Sequence, residues 1–261
     1  MTTDWTALFE DTFATPVSPV ETRVWREVFG AEYPEGVDPF SYVSRSELAR
    51  ICTEIGLDAK GHLVDVGCGR GGPGLWVAAQ TGASLTGIDI APSALAAAEE
   101  RAASLGLAKR ATFHLGRFDL LPFDDATVDA VMSVDALPFT PDKAVAIVEL
   151  ARVLRPGGRL VLTTWDYKTQ PVGRPPQVED HRPLLQAANL HVLAYDETED
   201  WLGRQSRVVA GLLAAVDELA AESDDSVEDL RDGLEEMRAT FGAMLRRVFI
   251  VAAKRSVELE D

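Results

Sequence analysis

Apolar positions along this 261-residue chain follow two rhythms. Up to residue 43 they recur at helical spacing: Trp5, Leu8 and Phe9, then Val24, Trp25, Val28 and Phe29. Side chains at i, i+3 and i+4 line one face of a helix. The stretch therefore predicts two short amphipathic helices and no strand, punctuated by Pro16, Pro19, Pro34 and Pro39. From residue 62 onward, short β-branched runs take over. Strands are expected at 63–66, 84–90, 111–115, 128–134 and 159–165, with helices between them at 75–80, 92–105 and 141–153. Short apolar strands alternating with helices bury both faces of a parallel sheet, and right-handed crossovers place helices on each side.

Local signals sharpen the boundaries. Ser44, followed three residues later by Glu47, is a capping box that opens a helix over 44–55, and Gly56 closes it. Beyond Trp165 the pattern loosens. Residues 166–180 are rich in Pro, Gly and Gln and read as a loop above the sheet's carboxyl edge, where open α/β sheets bind ligands. A short helix at 181–189 and a strand at 190–195 follow. Two helical stretches, 201–221 and 227–247, flank the acidic turn Glu222-Ser-Asp-Asp225, and Phe249-Ile-Val-Ala-Ala253 is the last strand. The expected architecture is a doubly wound, mostly parallel, seven-stranded α/β sheet. Residues 1–43 form a helical lid, and 44–261 the main domain, with a substrate loop near 166–180 and a helical insertion near 201–247.

The densest chemical signal lies at 62–74, His-Leu-Val-Asp-Val-Gly-Cys-Gly-Arg-Gly-Gly-Pro-Gly. A strand, a glycine turn and a helix follow one another, and glycines there let a ligand approach the backbone closely. Two patterns overlap. Gly67-x-Gly69-x-x-Gly72 matches the dinucleotide fingerprint. Asp65-x-Gly67-x-Gly69-x-Gly71 places a carboxylate beside the turn, which suits a cationic ligand end and repels a pyrophosphate.

Composition narrows the partners. The net charge is −17, and no basic run of five or more residues occurs, which argues against nucleic acid, whose phosphates require Lys and Arg clusters. With 46% apolar and 26% charged residues the chain reads as globular. The N-terminus lacks a basic region followed by an apolar core, and no apolar stretch approaches a bilayer span. Cys52 and Cys68 make no metal or disulfide spacing, so a cytoplasmic location is expected. No His/Asp cluster with ligand spacing follows the fourth strand, and no metal is expected.

Taken together, five segments resemble the class I S-adenosylmethionine-dependent methyltransferases, in particular the small-molecule group of quinone-biosynthesis and natural-product enzymes with a Rossmann-like fold. They are Val64-Asp-Val-Gly-Cys-Gly-Arg-Gly71, Asp89 at the end of the second strand, Leu121-Pro122-Phe123, Val128-Asp-Ala-Val-Met-Ser-Val-Asp135, and Leu154-Arg-Pro-Gly-Gly-Arg-Leu160. The similarity covers about residues 45–165. It implies S-adenosylmethionine as cofactor, with S-adenosylhomocysteine as product. It also implies contacts at Asp65, Gly67, Cys68, Gly69, Asp89, Ile90, Phe118, Asp119 and Ser133. Asp89 would hold both ribose hydroxyls, and Asp65 the cationic end of the methionine moiety. One position departs from the pattern: the family usually has an acidic residue directly after the glycine corresponding to Gly116. Here Arg117 stands there, which has no acceptor for an adenine amino group, and Asp119 is the nearest substitute.

Candidate proton acceptors should sit above the fourth and fifth strands. Asp135 and Asp166 lie there, and His181 opens the helix after the loop, an imidazole suited to proton removal near neutral pH. Tyr42, Trp165 and Tyr195 are candidates for an aromatic pocket, whereas His62, His114 and His191 lie at strand starts, away from it. The expected function is methyl transfer to an O, N or C nucleophile of a small metabolite, by a protein that could pair as a homodimer. An NAD(P)-dependent oxidoreductase and a catalytically silent binding subunit are the alternatives.

Overall fold

The computed structural model describes residues 4–256. Seven strands form one sheet in the order β3-β2-β1-β4-β5-β7-β6. The five strands β1 (His62–Val66), β2 (Ser84–Asp89), β3 (Ala111–Leu115), β4 (Val128–Val134) and β5 (Leu154–Tyr167) are parallel. The last strand, β7 (Met244–Lys254), runs antiparallel between β5 and β6 (Leu190–Glu197). Strand order reverses between β1 and β4, and the crevice at such a switch point is where doubly wound sheets take ligands. The expected fold class holds.

Each face of the sheet has its own core. On one side α3 (Arg45–Ile55), α4 (Gly72–Thr81) and α5 (Pro92–Ser104) cover Leu63, Leu85, Met132, Val161 and Phe249. On the other, α6 (Lys143–Val153) and α7 (Arg182–Ala187) cover Val64, Val131, Leu160, Leu162 and Ile250. A third cluster sits beyond the carboxyl edge of β5. There α2 (Pro19–Phe29), α8 (Trp201–Ala214), α9 (Val216–Ala220) and α10 (Val227–Thr240) pack around Trp25, Trp165, Tyr167, Trp201 and Val208. The N-terminal pair therefore divides: α2 is part of this cap, whereas α1 (Trp5–Ala14) buries no residue fully and leans on the glycine turn. Among the described residues no helix is long and apolar enough to cross a membrane.

Several boundaries differ from the sequence expectation, each because sheet pairing overrides the local signal. β5 begins at Leu154, not Arg159, since the ladder with β4 skips from the Val128–Leu154 pair to Ala130–Arg159 and absorbs Pro156-Gly157-Gly158 as a bulge, with Gly157 at φ 78°. It also ends later, because Asp166 and Tyr167 pair with Arg246 and Met244. The helix expected over 227–247 stops at Thr240 for the same reason: Met244 to Arg247 belong to β7. The stretch expected as one helix over 201–221 breaks at Ala215 into α8 and α9. The capping box forms as expected, with Ser44 Oγ accepting the Glu47 N–H at 3.1 Å and Glu47 accepting the Ser44 N–H at 3.0 Å.

Candidate functional site

The turn after β1 is shaped for close approach. Gly67, Gly69 and Gly71 all adopt positive φ, at 73°, 51° and 74°. At Gly67 the need is also steric, since a Cβ would collide with that of Ala136 and touch the Phe118 ring at 3.4 Å. The Gly67 and Cys68 N–H groups both donate to the Ile88 carbonyl, at 2.8 and 3.1 Å, which fixes the turn to the end of β2.

Two buried carboxylates flank it. Asp89 Oδ2 accepts the Gly69 N–H at 2.8 Å, and Oδ1 accepts the Ala91 N–H at 3.0 Å. Burial still holds its carboxyl above the ordinary range, against these backbone bonds. Asp65 is 1% exposed, and among the described residues neither of its oxygens has a well-formed hydrogen bond. Burial, then the Asp89 charge, pushes it up to about 7, with only the Gly74 backbone opposing. Gly74 is glycine because a Cβ there would sit 2.6 Å from Asp65 Oδ2. An orphaned, buried acid beside a second one fits a ligand that brings positive charge and hydroxyl donors, and it disfavours a pyrophosphate.

Other expected contacts are distributed less evenly. The Phe118 ring lies against Gly67, and Ile90 is half-buried just past β2. The Ser133 hydroxyl is fully buried in β4, without a partner among the described residues. Cys68 packs its thiol beneath Gly87, and burial raises it well above the usual thiol range, so its side chain is inert. Asp119 points outward and is bound bidentately by Arg117 at 2.8 and 2.9 Å, so the structure does not bring it to the turn. Arg70, which no sequence motif singles out, projects from inside the turn to the C-terminus of α1. It donates to the carbonyls of Thr12, Phe13 and Thr15, while Phe13 covers Gly69. Ser93 at the start of α5 binds Glu10 of the same helix. Helix α1 thus roofs the turn. Its Trp5 and Phe9 each sit 5.0 Å, centroid to centroid, from Phe139, which follows β4.

The three candidate proton acceptors fall into two separate clusters. Asp135, directly after β4, adopts φ 57° and donates its N–H to the Thr163 carbonyl at 2.9 Å. Its carboxylate accepts from Thr163 Oγ1 at 2.8 Å, from the Tyr42 N–H at 2.8 Å and from Arg247 Nε at 3.1 Å. Arg247, fully buried, also grips Glu47 at 2.6 Å and Thr198 at 2.9 Å. Burial leaves Asp135 raised despite Arg247. Glu47 is also raised by burial, but Arg247 and its capping-box bond outweigh that and leave it lowered.

Asp166 and His181 come together on the opposite face of β5. His181 Nδ1 lies 2.8 Å from Asp166 Oδ1. Tyr195 donates its hydroxyl to the same carboxylate at 2.7 Å and accepts the His181 N–H at 3.0 Å, and Arg246 Nε donates to Asp166 Oδ2 at 2.8 Å. A carboxylate only accepts, so Nδ1 carries a hydrogen toward Asp166. Among the described residues no hydrogen bond is made to Nε2. Of the three aromatic candidates, Tyr42 and Trp165 meet edge to face at 6.2 Å in the cap, whereas Tyr195 belongs to the Asp166 cluster.

Known proteins resemble this chain over the same strands. The sequence model of a family described as "Methyltransferase domain" matches residues 64–162, from β1 through most of β5. Residues 64–162 thus match a methyltransferase domain. The methyltransferase GfsG of Streptomyces halstedii is 33% identical over 129 residues, which cover 49% of this chain and 46% of that protein. The 2-methyl-6-phytyl-1,4-hydroquinone methyltransferase of Synechocystis sp. is 41% identical over 106 residues, or 41% of this chain and 32% of that one. The match thus spans less than half the length of these curated relatives. In fold the methyltransferase domain and its cap superpose on the crystal structure of the [4+2]-cyclase SpnF with a TM-score of 0.73. That match covers 98% of both chains at 22% identity.

Proposed function

We propose that this protein transfers a methyl group from S-adenosylmethionine to an oxygen, nitrogen or carbon nucleophile of a small metabolite, in secondary or quinone-type metabolism. The observation that carries this reading is the orphaned, buried Asp65 beside Asp89 at a glycine turn. It is supported by the methyltransferase-domain match and by relatives such as the hydroquinone methyltransferase. When bound, S-adenosylmethionine supplies a sulfonium methyl carbon open to in-line displacement. Asp89 would accept the ribose hydroxyls, and Asp65 would face the ammonium end. The backbone at Gly67, Cys68 and Gly69 would border the amino-carboxylate, with Ile90, Phe118 and Ser133 enclosing the rest. Arg117 occupies Asp119, so the adenine amino group would be held by backbone and the Phe118 wall.

On the acceptor side, Asp166 and Tyr195 fix the imidazole of His181 so that Nε2 takes the proton of the nucleophile. Asp135 positions Tyr42 and the chain after β4 and takes no proton. Helix α1 acts as a lid latched by Arg70, the segment 168–180 as the substrate loop, and the insertion as the cap. The free thiols of Cys52 and Cys68 support a reducing cytoplasm, and a second copy of the chain would seat on the outer side of the insertion.

Calorimetric titration with S-adenosylmethionine, S-adenosylhomocysteine and NADH tests the reading. The first two should bind and the third should not. Asp89→Ala should weaken S-adenosylhomocysteine by about 10- to 150-fold, the worth of charge-assisted hydrogen bonds, with an unchanged circular dichroism spectrum. Binding of NADH alone, or unchanged affinity in Asp89→Ala, overturns it.

A further inference from the structure

The loop between β5 and α7 carries a cation that is held by rings and by no acid. The Arg174 Cζ lies 5.0 Å from the Trp5 ring centroid and 4.9 Å from that of Phe139, and the two rings stand 5.0 Å apart. Among the described residues its guanidinium makes no hydrogen bond and no ion pair. Burial lowers it below the ordinary arginine range, and the weaker, opposing influence of Tyr167 and of Glu236 on α10 does not offset that. Nearby arginines differ: Arg182 binds Asp180, Arg246 binds Asp166, and Arg247 binds Asp135 and Glu47. A guanidinium stays charged in protein surroundings, and one stacked on ring faces keeps the N–H donors of its edge for an anion.

Arg174 sits on the side of the sheet that holds the candidate proton acceptor. Gln177 Nε2 donates to the Pro138 carbonyl at 2.8 Å, and the Tyr167 N–H donates to the Val178 carbonyl at 2.8 Å, which fixes the loop over the carboxyl ends of β4 and β5. Leu137, two residues before Phe139, is buried in the core beneath α6 and α7. Leu160 and Leu162 of β5 belong to the same core, and strand alternation puts Asp166, with His181, on that face. From Arg174 a wall of half-buried rings leads to the cofactor turn. Trp5 contacts Phe9 at 5.9 Å, Phe9 stacks on Phe13 at 6.1 Å, and Phe13 covers Gly69. Helix α1 buries none of its rings fully, so part of their apolar surface is open to a ligand.

We propose that Arg174 anchors the methyl acceptor through a carboxylate, with the apolar body of the acceptor lying along the Trp5–Phe9 wall toward the methyl donor. The edge of a guanidinium matches a carboxylate bidentately. One cation balances one charge, and the nearby Glu236 adds negative potential, so a carboxylate fits where a phosphate, with nearly two negative charges, does not. The acceptor class is then a monocarboxylate with an aromatic or otherwise apolar body. This narrows the methyl transfer proposed above and rests on that reading for the acceptor role, whereas the anion site itself rests on the contacts of Arg174.

Benzoate is the minimal probe, with benzamide as its neutral counterpart and phenyl phosphate as the more highly charged one. The indole N–H signals of 15N-labelled protein are followed with and without S-adenosylhomocysteine, and Trp5→Phe identifies the Trp5 signal. Benzoate should shift that signal saturably and bind more tightly than either of the other two. Arg174→Met should weaken benzoate by about 10- to 100-fold, the worth of charge-assisted hydrogen bonds, and leave benzamide within about 2-fold. Arg174→Lys, which keeps the charge and loses the fork, should fall between the two. No shift of Trp5 with benzoate, or an unchanged benzoate affinity in Arg174→Met, overturns the proposal. Equal losses for benzoate and benzamide also overturn it, since Arg174 would then only latch α1, and tighter binding of phenyl phosphate overturns the carboxylate. Failure of S-adenosylhomocysteine to bind would instead remove the methyl-transfer reading, and the benzoate series without it would still decide the anchor.

Discussion

Arg246 and Arg247 are neighbours in β7, and because successive strand residues point to opposite faces, each reaches a different buried aspartate. The two resulting clusters have the same ingredients and different completeness. Around Arg247, the donors and acceptors of Asp135, Glu47, Thr163 and Thr198 are used by one another, and the arginine is sealed from water. Around Arg246, Asp166 is equally buried, but the network ends on an imidazole nitrogen that has no hydrogen-bond partner among the described residues. A closed network ties elements together; in this case α3, β4 and β7. An open one, ending on a proton acceptor, can do chemistry. Burial and an arginine partner are common to both, so neither marks a catalytic carboxylate. The unfinished valence is the difference.

That contrast can be broken at either end. The largest effect is expected from His181→Asn, which keeps a donor for Asp166 but removes the proton acceptor. Turnover should fall by about 10²- to 10⁴-fold, with S-adenosylhomocysteine affinity and melting temperature nearly unchanged. A large loss of stability with little loss of rate would make the cluster structural. Arg247→Met should do the reverse. It strands Asp135 and Glu47 as buried charges, at a cost of about 3–5 kcal/mol in denaturant unfolding. A milder result would show that the closed network is dispensable.

A third test separates both clusters from the cofactor turn. Asp65 has a folded-state pKa of about 7 against an ordinary 3.8. Its protonated form is the one the fold favours, so its contribution is fully present below about pH 4 and is lost as pH rises through 7. Within that window the ligand-free protein should lose about 1.4 kcal/mol per pH unit through this group, and Asp65→Asn should flatten the slope. An identical slope in the variant would mean that Asp65 is not the titrating group. The smallest effect is expected at Ser44. Ser44→Ala removes the cap of α3, which carries Glu47 toward Arg247, and should cost about 0.5–2 kcal/mol without altering turnover.

The parallel half of the molecule was legible because its signals are local. A β-branched run, a glycine turn and a capping box are each read within a dozen residues, and β1 to β4 fall where their apolar runs lie. The antiparallel half was not, because Met244 to Arg247 look helical on their own and become strand only between two partners. The site divides the same way. Asp65, Gly67 and Asp89 are fixed by motif spacing. The pairing of Asp166 with His181, 15 residues apart, depends on a loop whose course no periodicity encodes. The Arg-Arg-Val-Phe-Ile run, two cations ahead of a buried strand, was the one available hint that a charge would be carried inside.

The adjacency of Arg246 and Arg247 has a further bearing, on how the chain finds its fold. β7 slots between β5 and β6, so the outer part of the sheet closes only after nearly all the preceding chain has been made. A strand arriving late into a gap can enter one residue out of step, which turns every side chain to the wrong face. Here such a slip would drive Arg246 or a neighbouring apolar side chain against Asp135 and Glu47, and carry Arg247 away from both. The two arginines therefore act as a key cut for one alignment: the closing strand seats fully only when each cation meets its own carboxylate.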